Sequence, residues 1–384
     1  MSTSSVTVGA LVERAPGEHR VSVTPNAIAR LDARGVHVLV EAGAGAGSWI
    51  SDAEFEAAGA EIASTTHIID TADAITCVGT PPADVLAALH PGQFLVGLLH
   101  TATDPDLIRS MSAQSVVGID LALLPRTLSN AQSMDAMTSQ DSVAGYKAVI
   151  VAAGAFGRYF PMMITAAGTF RPTRLLVLGA GIAGLQAIAT ARRLGADVSG
   201  YDIRAECRSQ IESLGARFVE LGSAVADASS NGYARTVTAD EATVQQNGVN
   251  SALAAFDVVI TTARVPGHRP PVLVTASAVQ QMRSGSVVLD MAASELGGNV
   301  EGSIDNTTTQ SSNGVTVIGA GSLASTMPSA ASEAYGRNIS DVLIHFVRDH
   351  VLRVDSADPI DAAVVVSTPV AAESASVAVA GIAS

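Results

Sequence analysis

Aromatic side chains are scarce: Trp49, five Tyr and eight Phe make up 4% of the 384 residues. So few rings cannot supply the stacking platforms of single-strand nucleic-acid binders. Positive charge is short as well, with 22 Lys and Arg against 36 Asp and Glu, a formal net charge of −14, and no Lys before Lys147. Phosphate-tracking surfaces need clustered Lys and Arg, so no nucleic-acid partner is expected. The two cysteines, Cys77 and Cys207, have neither the number nor the spacing of a disulfide framework or a zinc site. They are expected to be idle thiols in a reducing compartment. Met1–Ser5 lacks the basic-then-apolar order of a secretory leader. The best candidate for a membrane span, Leu175–Ala191, is interrupted by Gly179, Gly181, Gly184, Gln186 and Thr190, whereas a spanning helix needs about 20 apolar residues. Any membrane association is therefore expected through a partner.

What is present is an apolar, lightly charged chain, 48% hydrophobic and 15% charged, which excludes extended disorder. At roughly 150 residues per domain, its length suits two domains. Short β-rich runs alternate with helical ones: Val6–Val12, Val36–Val40, Ala74–Val78, Phe94–Leu99 and Ser115–Asp120 read as strands. A helix follows Thr24–Pro25, with Ala27, Ile28 and Leu31 on one face, and Asp52 is a candidate cap for Ala53–Ala58. This rhythm predicts parallel sheets covered on both faces. Small residues from Gln140 to Phe160 predict a long helix joining two domains. A second α/β unit runs from Arg174 to about Gly319, with later strands at Phe256–Ile260, Ser286–Asp290 and Val315–Ile318. A helix over Ser329–Val347 is expected to return the chain to the first domain. Gly222–Asn250 is polar and longer than an ordinary connection, and reads as a functional loop. The predicted fold is α/β, two Rossmann-like doubly wound domains with a cleft between them. The expected division is 1–138 with 329–366, then 139–328, with a frayed tail at 367–384.

One motif carries chemistry. The apolar run Arg174–Leu178 leads directly into Gly179-Ala-Gly181-Ile-Ala-Gly184, and Leu185, Ile188, Ala189 and Leu194 then form a helical stripe. A second strand, Asp197–Tyr201, ends at Asp202, 23 residues beyond Gly179. This is the dinucleotide fingerprint in its proper context, where an acid is expected about 20 residues on. Gly179 permits the tight turn, Gly181 leaves room for a pyrophosphate, and Gly184 lets helix and strand pack closely. The helix N-terminus at Ile182 offers unpaired N–H groups to phosphate. Asp202 suits the ribose hydroxyls and repels a 2′-phosphate, which favours NAD(H) over NADP(H). Arg204 moderates that preference.

At these residues the chain resembles a known family. Arg174–Phe218 is similar to the NAD-binding domain of the alanine dehydrogenase and nicotinamide nucleotide transhydrogenase α-subunit superfamily. The likeness extends back to Glu13-Arg-Ala-Pro-Gly-Glu-His-Arg-Val-Ser-Val-Thr-Pro25 and forward to Asn338. Ala131–Gln140 with Ala144–Ala148, and Phe160–Gly168, resemble the transhydrogenase branch, while Thr261–Gly267 and Gly297–Asn299 are shared more widely. The resemblance implies that Gln132 contacts the dihydronicotinamide and has a catalytic role with Asp135. It implies that Asp135 and Thr138 or Ser139 orient the carboxamide and ribose, with Arg126 completing the loop. It extends the cofactor set to Gly179, Gly181, Ile182, Gly184, Asp202, Ile203, Arg204, Thr262 and Ala263. In the polar stretch it implies a mobile loop closing over the nucleotide, with Gly232 and Tyr233 at its core. The family's spacing between Arg and Gln is one residue shorter, it usually has Ser at the position of Thr138, and Asp290–Gly297 is one residue longer here.

By resemblance the chain is the NAD(H) component of a split, proton-translocating transhydrogenase. That implies Si-specific hydride transfer from NADH to NADP+ held by a β subunit, a small membrane α2 subunit, a homodimer, and a cytoplasmic chain held at the inner face of the membrane by its partners. The competing expectation is an alanine dehydrogenase-like enzyme. Arg20 and His100 stand at that branch's Arg and His positions, but Gly79 falls near its Lys, and Ser294 or Glu295 near its Asp. A NAD(H)-responsive regulatory subunit without turnover would share the same nucleotide motif.

Overall fold

A computed structural model describes residues 6–221, 238–264 and 269–368. The chain divides into two compact units at Met137–Thr138 and again at Met327–Pro328, so the first unit contains segments from both ends of the sequence.

The second unit is built on seven strands in the order Arg217–Phe218, Asp197–Tyr201, Arg174–Leu178, Val258–Thr261, Val287–Asp290, Thr316–Gly319 and Thr307–Gln310. All neighbours are parallel except the last pair. Leu175 to Leu178 are fully buried because the strand is central and covered on both faces. The chain builds outward on one side of Arg174–Leu178 and then returns to build on the other. That reversal opens a crevice beyond the carboxyl ends of Arg174–Leu178 and Val258–Thr261, the usual ligand position in such sheets.

The first unit repeats this topology: Val365–Ser367, Val117–Asp120, Phe94–Gly97, Ala74–Thr76, Thr7–Ala10, His37–Glu41 and Glu61–Ala63, with only Val365–Ser367 antiparallel. Pro25–Asp32 buries Ala27, Ile28 and Leu31, the face its periodicity predicts. It packs on Pro328–Phe346, whose buried side includes Ala331, Tyr335, Asn338, Ile339, Val342 and Phe346. Gly336 brings the two helices close: a Cβ there would lie 3.3 Å from the Ala27 Cβ.

Four local expectations are corrected. Ser51, not Asp52, caps the helix Asp52–Ala57; its hydroxyl and Glu54 form a reciprocal capping box, while Asp52 accepts from Gly43 N. The joining helix spans Ala136–Ala155: it begins before Gln140, where Ala136 is already fully buried, and ends short of Phe160. Gly222–Asn250 is not wholly loop. Ala239–Ala252 is helical, with Gln245, Val249 and, just beyond its end, Leu253 buried at four-residue spacing. Ser367 belongs to the edge strand rather than to a frayed end: its buried hydroxyl donates to Val116 O and accepts from Gly118 N. The remainder of the expected tail lies outside the described residues.

Candidate functional site

The glycine turn of the second unit has the geometry its sequence demands. Gly179 adopts φ +104°, and a Cβ there would lie 2.5 Å from Thr262 Oγ1. A Cβ on Gly184 would lie 1.9 Å from Gly179 O, so only glycine lets the helix Ile182–Arg193 begin against the turn. At Gly181, by contrast, a Cβ would meet nothing within 4 Å. Open space over the start of a helix is a cradle for a pyrophosphate. Thr262 ties the neighbouring strand end to the turn, its hydroxyl donating to Gly179 O at 3.0 Å. Ala263 is pinned from both sides of its peptide: its N–H donates to Asn299 Oδ1 (2.9 Å), and its carbonyl accepts from Asn299 Nδ2 (2.9 Å).

Asp202 sits beside the turn and is 7% exposed. Ala180 N donates to its Oδ2 at 2.7 Å, and Arg204 N donates to Oδ1 at 2.9 Å. The Arg204 guanidinium adds Nε to Oδ1 (2.9 Å) and Nη2 to Oδ2 (3.0 Å). Burial pushes the carboxyl up, but Arg204 and the two backbone donors outweigh it and hold the group below its ordinary value. Ile203 is half-buried between them. Gly179, Gly181, Ile182, Gly184, Asp202, Ile203, Arg204, Thr262 and Ala263 therefore converge on the crevice end of one sheet. Gly232 and Tyr233 lie outside the described residues.

The other candidate residues precede this unit or open it. In the first unit, Ser129–Met134 forms a 3₁₀ turn that buries Ala131 and Met134 and leaves Gln132 exposed. Asp135 follows it, 9% exposed, and Arg126 is half-buried on the approach. Thr138 and Ser139 lie in the first turn of Ala136–Ala155, partly buried, at the start of the second unit.

Comparison with known proteins decides the family. Residues 9–144 match the alanine dehydrogenase/PNT N-terminal domain and residues 148–370 its C-terminal domain. The chain belongs to the alanine dehydrogenase/PNT family. A Rhodospirillum rubrum protein, described as the first part of NAD(P) transhydrogenase subunit alpha, is 39% identical over 88% of both chains. A Rickettsia prowazekii protein of the same description is 39% identical over 90% of this chain and 91% of its own. The solved transhydrogenase from Sinorhizobium meliloti has a TM-score of 0.84 at 36% identity, covering 94% of this chain and 98% of that one. The Bacillus subtilis alanine dehydrogenase is less similar, 29% identical over 79% of this chain. Members of this family bind NAD(H), and the cradle around Gly181 and Asp202 fits that nucleotide.

The residues expected for amino-acid chemistry have the following surroundings. Both side chains of the Arg20–Glu18 pair are about 90% buried, with Nε to Oε1 at 2.7 Å and Nη2 to Oε2 at 2.5 Å. Glu13 accepts from Val78 N at 2.5 Å, next to the position where a Lys is missing. His100 is exposed with φ +51°. Both cysteines are free and buried; burial raises Cys207 to about 12 and pushes Cys77 well up, so neither is a thiolate at neutral pH. Among the described residues, no helix is long and apolar enough to cross a membrane.

Sequence reasoning missed the residues that brace the site from afar. In the sequence Asn299 is only one member of a shared motif, yet it pins Ala263. Asn338 Nδ2 donates to Ser133 O at 2.8 Å and so holds the turn that carries Gln132. Gly145 is obligatory because a Cβ would lie 2.2 Å from Ala183 O at the start of the nucleotide helix. The one available signal was small or amide residues at otherwise apolar positions.

Proposed function

We propose that this chain is the NAD(H)-holding component of a proton-translocating NAD(P)+ transhydrogenase. The carrying observation is the placement of Asp202 against Ala180 N beside an open Gly181, which suits a diphosphate followed by an unphosphorylated ribose. When bound, the dihydronicotinamide would supply a hydride to NADP+ on a partner β subunit. The protein's contribution is orientation and exclusion of water. In this reading Gln132 and Asp135 grip the carboxamide edge, whose paired donor and acceptor match Gln and Asp. Thr138, Ser139 and Arg126 hold the adjoining ribose, and Thr262 and Ala263 line the path of the nucleotide. No residue needs to act as acid or base at the hydride step.

Coupling to proton movement belongs to the partner β and α2 subunits, which hold this chain at the cytoplasmic face of the membrane. A homodimer through the second unit is supported by the hairpin Met163–Thr165 and Gly168–Phe170 and the segment leading into it, where Tyr159, Met162, Ile164 and Phe170 are 51%, 59%, 75% and 43% exposed. Alanine dehydrogenase activity is disfavoured because the guanidinium it would need for a substrate carboxylate is paired with Glu18. The test is to titrate NADH and NADPH against the chain and to assay it alone with NAD+ and alanine. Preferential NADH binding without alanine turnover is expected. Appreciable turnover of alanine overturns the proposal.

A further inference from the structure

The hydrogen bonds already made by Asp202 leave no place for a ribose. An ionised carboxylate offers about four lone-pair positions on its two oxygens. All four are filled: Oδ1 by Arg204 N and Nε, Oδ2 by Ala180 N and Arg204 Nη2. The two backbone donors belong to the turn itself. The other two belong to one side-chain group, the guanidinium, and it holds one position on each oxygen. A ribose diol brings two O–H donors, so the positions it needs are those Arg204 occupies.

We propose that Arg204 is a latch on Asp202 which the nucleotide must lift, and that this exchange sets the discrimination between NADH and NADPH; the inference rests on the reading that this unit binds NAD(H). The pair is well placed to compete. The Asp202 and Arg204 side chains are 5% and 14% exposed, so water screens them weakly, and both bonds are charge-assisted. Two residues of separation keep the guanidinium at high local concentration. Lifting it exchanges two ion-pair bonds for two hydroxyl-to-carboxylate bonds and separates opposite charges, which makes NADH binding weaker than the turn and Asp202 would otherwise allow. The released guanidinium has a second consequence. It carries the planar fork that binds phosphate bidentately, beside the position of a 2′-phosphate. Asp202 alone would repel that group strongly, whereas Asp202 with a freed Arg204 repels it less. The latch therefore compresses the preference for NADH from both sides.

The test is to measure Kd for NADH and NADPH, by nucleotide fluorescence, on the full chain and on Arg204→Gln and Arg204→Lys. Arg204→Gln is expected to bind NADH several-fold more tightly and NADPH more weakly, widening the ratio about tenfold, the scale of one charge-assisted bond. A single ammonium cannot span both oxygens as the fork does, so Arg204→Lys is expected to fall between. If Arg204→Gln binds NADH more weakly, Arg204 is a direct holder of the nucleotide and the latch is refuted. Unchanged ratios in both variants refute it too, while the NAD(H) reading survives. Failure of the unaltered chain to bind NADH overturns that reading itself, and the latch with it.

Discussion

Glu13 gives the first unit a pH dependence whose size follows from its surroundings. Burial raises its carboxyl from 4.5 to about 7; Glu18's charge pushes the same way, against the Val78 and Gly79 backbone donors and Arg20. The native state thus holds this proton more tightly than the unfolded chain. The stabilisation is fully present below about pH 4.5 and is lost as pH rises through about 7. The rise from 4.5 to about 7, at ~1.36 kcal/mol per pH unit, amounts to about 3 kcal/mol. Glu13→Gln keeps an oxygen to accept from Val78 N and cannot ionise. Urea unfolding of both proteins at pH 5, 6.5 and 8, followed by far-UV circular dichroism, isolates the effect, because every other titrating group is common to the pair. Between pH 5 and 8 the unaltered chain should lose on the order of 3 kcal/mol more stability than the variant. Parallel stability curves would show that Glu13 titrates normally and that the burial argument is wrong.

Asp202→Ala should weaken NADH binding by at least about tenfold, since it removes the acceptor for both ribose hydroxyls; unchanged Kd would mean the ribose lies elsewhere. Gln132→Asn should slow hydride transfer more than it weakens binding, and a loss confined to Kd would reduce Gln132 to a tether. Asn338→Ala frees the Gln132 turn from its bond to Ser133 O, so the same kcat-dominated loss is expected; Asn338→Asp, which sets an acceptor against that carbonyl, should not restore it. Gly184→Ala forces a Cβ against Gly179 O, and NADH binding should be lost while the strands of the first unit keep their hydrogen-exchange protection; retention of binding would refute the tight-turn argument.

The parts of this chain written locally were legible before the structure. Leu175–Leu178, the glycine turn and Asp202 all lie within 28 residues of one another, and each position's task follows from backbone geometry alone. Asp52 misleads as a cap because Asp is also a good N-cap; Glu54, three residues after Ser51, is the deciding cue. Helix Ala239–Ala252 was hidden because its buried stripe is thin and contains an amide, Gln245, where an apolar residue would have declared the face. The braces were illegible for a different reason. Asn299 acts 36 residues from Ala263, and Asn338 acts 205 residues from Ser133. Such pairings depend on tertiary packing that periodicity and propensity do not encode.

A labelled hydride, followed from this chain to a partner, is the decisive measurement. The chain, loaded with NADH deuterated at the transferred position of C4, is mixed with an NADP(H)-binding β component carrying NADP+. NADPH that retains the deuterium is expected, formed only when both proteins are present. Deuterium lost to solvent, or oxidation of the NADH by the chain alone with pyruvate and ammonia, would contradict it.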